Sequence, residues 1–172
     1  MTARAVWVLR HAKATAHAEE DHGRPLAPRG RRQASEVGRY LDDGAIPTAA
    51  PATVLTSSAR RARQTAELVV AELSGGAELV VERALYDAGP DDVVDRLRLL
   101  DDDVAAVLVV GHNPTVQELA ALLVSPARTG ERARVEARFP TAALACVGVD
   151  LATWEGLAMG EGRLLDLHFT QG

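Results

Sequence analysis

The chain has one cysteine, Cys146, and one lysine, Lys13, among its 172 residues. A lone thiol excludes an internal disulfide, and its setting in the apolar stretch TAALACVGV marks Cys146 as a core side chain. Aromatic residues make up 3% of the chain, so its arginine runs lack the interleaved rings that stack nucleic-acid bases. A net charge of −5 opposes general attraction to polyanions. No apolar run approaches the roughly 20 residues that cross a bilayer. Met1 to Arg4 lead directly into an apolar run, without a secretory leader pattern. These absences predict a cytoplasmic protein with no nucleic-acid and no membrane partner.

What remains is an ordinary globular composition, 47% hydrophobic and 25% charged, and its length suits a single domain over residues 1–172. AVWVL at 5–9 and VAAVLVV at 104–110 are continuous apolar runs of the kind buried in a parallel sheet. TVLTS at 53–57 and AELVVE at 77–82 are two further strands. Between them, Ala34, Val37 and Leu41 recur at helical spacing, as do Ala59, Ala62, Ala66, Val69 and Leu73. Pro90 with Asp91 and Asp92 opens another helix, and Asn113 is the expected cap of a helix that carries Pro114 in its first turn. Residues 125–138 read as arginine-rich and irregular, and AALACVGV and RLLDLHF close the chain as strands. Alternating strands and helices predict an α/β fold, a three-layer α/β/α sandwich with a mainly parallel central sheet.

Ligands of such a sheet bind beyond the carboxyl ends of its strands. The first strand is followed by Arg10-His11, the second by Ser57-Ser58-Ala59-Arg60-Arg61, and the fourth by Gly111-His112-Asn113-Pro114. Two of these loops open helices, whose free N–H groups favour anions. Two histidines, several arginines and two helix N-termini therefore converge on a site for a phosphate-like oxyanion. A neutral imidazole at such a site can accept a phosphoryl group, while guanidinium groups neutralise its oxygens. A second histidine, protonated, would add a cation on the same group. This design needs no metal and no cofactor.

LRHAKA, DHGRPLAPRG, SSARRARQTAE and VVGHNP resemble the four ordered motifs of the histidine phosphatase superfamily, whose fold is phosphoglycerate mutase-like. The combination of RHAK with RPL is similar to the small SixA-type phosphohistidine phosphatases. The resemblance implies that His11 becomes phosphorylated and that Arg10, Arg61 and His112 hold the transferring group. Arg24, in RPL, resembles a basic residue lining the same pocket. Lys13 has two readings, a cation that attracts or orients the anionic substrate, which is preferred, and a loop residue left by a coding bias toward arginine. Larger family members carry a carboxylic acid that protonates the leaving group. Asp87, in LYDAGP, is the candidate here, with Asp91 and Glu20 as rivals. A labile P–N bond needs such an acid less than an ester does. The implied partner is a phosphohistidine protein. The alternatives are a small phosphorylated metabolite or nucleotide, or a binding module without turnover.

Simpler readings stand beside these. Arg31, Arg32 and Arg63 fit solvated helix faces. Arg60 and Arg61 fall in a helix first turn, where the dipole disfavours cations and a bound anion would explain them. His17, His22, Glu19, Glu20 and Asp21 have metal-ligand chemistry but no regular spacing, which favours a loop rim over a metal cluster. His168 alternates with Leu165 and Leu167 and is expected to face away from the core. Trp7 and Trp154 are expected in the core or at its rim.

Overall fold

The computed structural model describes residues 2–171. Its centre is a six-stranded sheet built from β1 (Thr2–Arg10), β2 (Thr53–Ser57), β3 (Glu78–Glu82), β4 (Ala106–Gly111), β5 (Leu144–Leu151) and β6 (Arg163–His168). Their spatial order is β3-β2-β4-β1-β5-β6. The first four strands in that order pair in parallel, and the last two add antiparallel to the far edge. Helices α1 (Pro28–Asp42) and α2 (Arg60–Glu72) cover one face; α3 (Pro90–Leu97), α4 (Thr115–Leu123) and α5 (Thr129–Ala137) cover the other.

The continuous apolar runs follow from this layering. Side chains alternate across a strand, so a strand covered on both faces must be apolar at every position. In β1, Ala5, Trp7 and Leu9 enter the layer under α1 and α2, whereas Val6 and Val8 enter the layer under α3 to α5. β4 repeats the pattern with Leu108 and Val110 on the first side and Val107 and Val109 on the second. Cys146 is buried in β5, and both Trp7 and Trp154 lie in the core. No helix among the described residues is long and apolar enough to cross a membrane.

Three expectations are corrected. Residues 125–138 are not irregular throughout, because Thr129–Ala137 form α5. Only Val135 of this helix is buried, so its apolar stripe is one residue wide. It is held instead by the pairs Arg128–Glu131 and Arg132–Glu136 and by Gln117 Nε2, which donates to the Val135 and Glu136 carbonyls. Asn113 does not cap α4; its Nδ2 donates to Gln117 Oε1 and to the Phe139 carbonyl, tying that loop to the segment after α5. His168 does not face away. Its ring stacks on Tyr40 of α1 at 3.8 Å, because α1 reaches over the β6 edge, and the Tyr40 hydroxyl donates to Asp166.

One glycine positions the site. At Gly30, near the start of α1, a Cβ would lie 2.0 Å from the Lys13 carbonyl oxygen. That contact lets the segment after β1 lie flat on α1. There the Lys13 carbonyl accepts from Ala27 N and its N–H donates to Gln33 Oε1.

Candidate active site

β1, β2 and β4 are adjacent and parallel, so their carboxyl ends open on one edge of the molecule. β1 delivers Arg10 and His11 there, β4 delivers His112, and Arg61 comes from the first turn of α2 beyond β2. The rings of His11 and His112 lie 5.2 Å apart between centroids, tilted by 55°. Arg61 Nε donates to His11 Nε2 at 3.3 Å. Four side chains from three separated segments thus meet in one place.

His11 is fixed from both sides of its ring. Nδ1 lies 2.8 Å from the Ala12 carbonyl oxygen, which can only accept, so Nδ1 carries the proton. A guanidinium can only donate, so Nε2 carries the lone pair. Burial, opposed by the Ala12 hydrogen bond and aided by Arg61, Arg10 and Arg24, pushes the His11 pKa down to about 4. The imidazole is therefore neutral at pH 7, with its lone pair on the atom facing Arg61. His112 is pushed down to about 3, first by burial and then by His11 and Arg61. The His112 ring is accordingly neutral at pH 7, and the conditional imidazolium is not its form in this structure. A bound dianion would raise its pKa, since opposite charge favours the protonated form.

Some polar atoms are left over. Arg10 Nη1 donates to the Phe139 carbonyl, but among the described residues its buried Nε has no partner, nor does the buried Nδ1 of His112. Among the described residues, Arg4, Trp7, Thr48, Asn113 and His168 also have a buried side-chain nitrogen or oxygen without a partner.

Arg61 is buried at 6% relative exposure, and its remaining nitrogens are engaged by one residue. Nη1 donates to the Asp21 carbonyl at 2.8 Å and Nη2 to Asp21 Oδ2 at 3.0 Å. Tyr86 donates its hydroxyl to the same carboxylate, and Arg24 Nε donates to Oδ1. The Tyr86 hydrogen bond, followed by Arg61, pulls the Asp21 carboxyl down to about 2, so it is an anion and not a proton donor at neutral pH.

The other sequence candidates divide. Arg24 is half-buried beside Asp21, also donating to the Thr15 carbonyl, and its charge reaches both imidazoles. Lys13 points to solvent, and its side chain has no hydrogen-bond or ion-pair partner among the described residues. Arg60 is exposed. Asp87 and Glu20 are both exposed and line one recess of about 260 Å³ with His22, Arg83 and Tyr86. Asp91 is on the exposed side of α3 and does not line that recess. No group of three or more His, Cys, Asp and Glu among the described residues is placed to hold a metal ion. The largest cavity described, about 670 Å³, lies around the amino end of β1, lined by Ala3, Thr48, Asp150 and Arg163 among others. The two histidines are at the opposite end of that strand, and two further buried atoms without partners among the described residues, Arg4 Nε and Thr48 Oγ1, belong to the lining of this cavity.

Sequence reasoning missed Tyr86 and Ser57 as parts of the site and read Asp21 as rim. Ser57 Oγ lies 2.8 Å from His112 Nε2. Asp21 stands three residues before Arg24 in DHGR, and a single 3-10 turn at Asp21–Gly23 lets its carboxylate meet both Arg24 and Arg61.

A family model described as histidine phosphatase superfamily (branch 1) matches residues 6–95. The chain belongs to the histidine phosphatase superfamily. The uncharacterised protein Rv1276c of Mycobacterium tuberculosis is 37% identical over 163 residues, covering 93% of this chain and 98% of that protein. A structure assigned as phosphohistidine phosphatase SixA from Nakamurella multipartitia superposes with a TM-score of 0.84 at 29% identity, covering 100% of this chain and 99% of that one. A protein histidine phosphatase SixA complexed with tungstate gives a TM-score of 0.74 at 29% identity, covering 95% of each.

Proposed function

We propose that the chain is a phosphatase that transfers a phosphoryl group to His11, and that its substrates are phosphohistidine proteins. The observation that supports this reading is one neutral imidazole, His11, whose Nε2 lone pair faces the Arg61 guanidinium at 3.3 Å and whose ring lies 5.2 Å between centroids from that of His112. A tetrahedral dianion is the ligand that such a set of imidazoles and guanidinium groups would hold. Tungstate is such an oxyanion, and it is the ligand of one SixA structure of the same fold.

In the proposed reaction, His11 Nε2 attacks phosphorus and the bond from phosphorus to the leaving group breaks. Arg10, Arg61 and His112 hold the three equatorial oxygens, whose charge their N–H groups neutralise. Asp21 withdraws from Arg61 as the phosphoryl oxygens arrive. The leaving imidazole of a phosphohistidine takes up a proton from water. In the second half, water attacks phosphorus, the P–Nε2 bond breaks, and inorganic phosphate departs with His11 neutral again. Asp21 is ionised and cannot protonate an alkoxide, which favours the P–N substrate over an ester; the exposed Asp87 and Glu20 are the remaining acids at the rim.

A panel assay tests this. Phosphohistidine proteins and small phosphate esters are offered to wild type and to His11→Ala, with and without a chelator. Chelator-resistant release of phosphate, fastest from phosphohistidine and abolished by His11→Ala, is expected. Faster turnover of a small ester moves the substrate class to phosphorylated metabolites. Turnover of nothing leaves a binding module.

A further inference from the structure

His11 and His112 face the same site with opposite requirements. A nucleophile must show a lone pair, whereas a ring that steadies a phosphoryl oxygen must show an N–H. His11 has its tautomer set by the Ala12 carbonyl. Nothing described so far sets that of His112.

We propose that Ser57 is a positioning residue: its hydroxyl donates to Nε2 of His112 and holds that ring as the Nδ1–H tautomer, ready to donate to the transferring group. The inference rests on the phosphatase reading for its purpose, but not for its geometry. Ser57 ends β2, fully buried, next to the end of β4 from which His112 emerges. Its Oγ accepts the Ala59 N–H at 3.2 Å and lies 2.8 Å from His112 Nε2.

Counting protons decides the direction of the second bond. A serine hydroxyl has one proton and two lone pairs. If Ser57 donates to Nε2, its proton is used, one lone pair takes Ala59 N–H, and the single group left over is Nδ1–H of His112. If Nε2–H donates instead, the Ser57 proton has no acceptor among the described residues and the buried Nδ1 lone pair has no donor. The first arrangement strands one buried polar group and the second strands two, and each stranded group is costly. The first also suits the proposed role, since phosphoryl oxygens only accept, and a ring with Nδ1–H can donate where a bare Nδ1 lone pair would repel them.

The two strand ends thus prepare complementary rings before substrate arrives. Ala12 gives His11 a lone pair to attack with, and Ser57 gives His112 a proton to share. Because Ser57 touches His112 and not the phosphoryl group, its effect passes through the ring.

The test reads the ring nitrogens directly. Ring ¹⁵N shifts of His112, assigned by their loss in His112→Gln, are recorded for the ligand-free protein near pH 7. Wild type is expected to show a protonated Nδ1 and an unprotonated Nε2. Ser57→Ala is expected to move the proton toward Nε2 and to lower kcat/KM about fivefold, the scale of one neutral hydrogen bond. Ser57→Thr keeps the hydroxyl and is expected to restore both. A wild-type spectrum with the proton on Nε2 overturns the proposal, whatever the variants do. So does a Ser57→Ala protein that melts lower with an unchanged tautomer, since Ser57 would then be structural only. The spectrum needs no turnover. A protein that hydrolyses nothing yet shows the tautomer switch upholds the Ser57 assignment and overturns only the phosphatase reading.

Discussion

Lowering the pH should destabilise this protein through His11. In the unfolded chain the imidazole titrates near 6.5, whereas in the folded site burial and the neighbouring arginines push it down to about 4. Between those values the unfolded state binds more protons than the folded one, so stability rises with pH across that window. The stability tied to a neutral His11 is present above about 6.5 and is lost as the pH falls toward 4. From pH 7 to pH 5 the difference integrates to about 2 kcal/mol for this one residue. His11 is only 8% exposed, so solvent screening does little to reduce the figure. His112 adds in the same direction, and part of its own shift comes from His11. Urea unfolding at pH 7 and pH 5 of wild type and His11→Gln measures the effect. Wild type should lose about 2 kcal/mol more than the variant between the two conditions. Equal losses would show that His11 is not a buried neutral base, and the tautomer argument would fall with it.

Asp21→Asn removes the charge that pairs with Arg61. The pair is 3.0 Å long but the Asp21 side chain is 54% exposed, so about 1 kcal/mol is the appropriate scale. Tungstate or phosphate should bind the variant about fivefold tighter by calorimetry; unchanged or weaker binding would mean that Asp21 supports the site instead of competing for it. Gly30→Ala drives a methyl group onto the Lys13 carbonyl and should cost about 2 kcal/mol in thermal unfolding, despite the better helix propensity of alanine. Gly130→Ala, in open space within α5, should instead gain about 0.5 kcal/mol, and similar effects at both glycines would contradict the close packing of α1 on the segment after β1.

The sheet was legible because burial on both faces forces unbroken apolar runs, as at Val6–Leu9 and Val107–Val110. His11, Arg61 and His112 were legible because each follows a parallel strand, and parallel strands deliver their loops to one edge. α5 was hidden because a helix held by ion pairs and one buried valine has almost no period to read. Asn113 has a capping side chain, yet its amide donates to Gln117, one turn along α4, and to the carbonyl of Phe139, 26 residues away, a partner of which local spacing carries no trace. Tyr86 and Ser57 were hidden for a related reason. Each acts on a charged or titratable group from another segment, Asp21 in one case and His112 in the other, and nothing in their own neighbourhoods distinguishes a tyrosine or a serine that does so.

The most direct measurement is capture of the phosphorylated enzyme. Wild type mixed with a phosphohistidine protein, quenched at alkaline pH and digested, should yield the His11 peptide bearing one phosphoryl group, labile to acid and absent from His11→Ala. Phosphate released at full rate by His11→Ala, or a phosphoryl group found on His112, His22 or any carboxylate instead, would contradict the assignment of His11 as nucleophile.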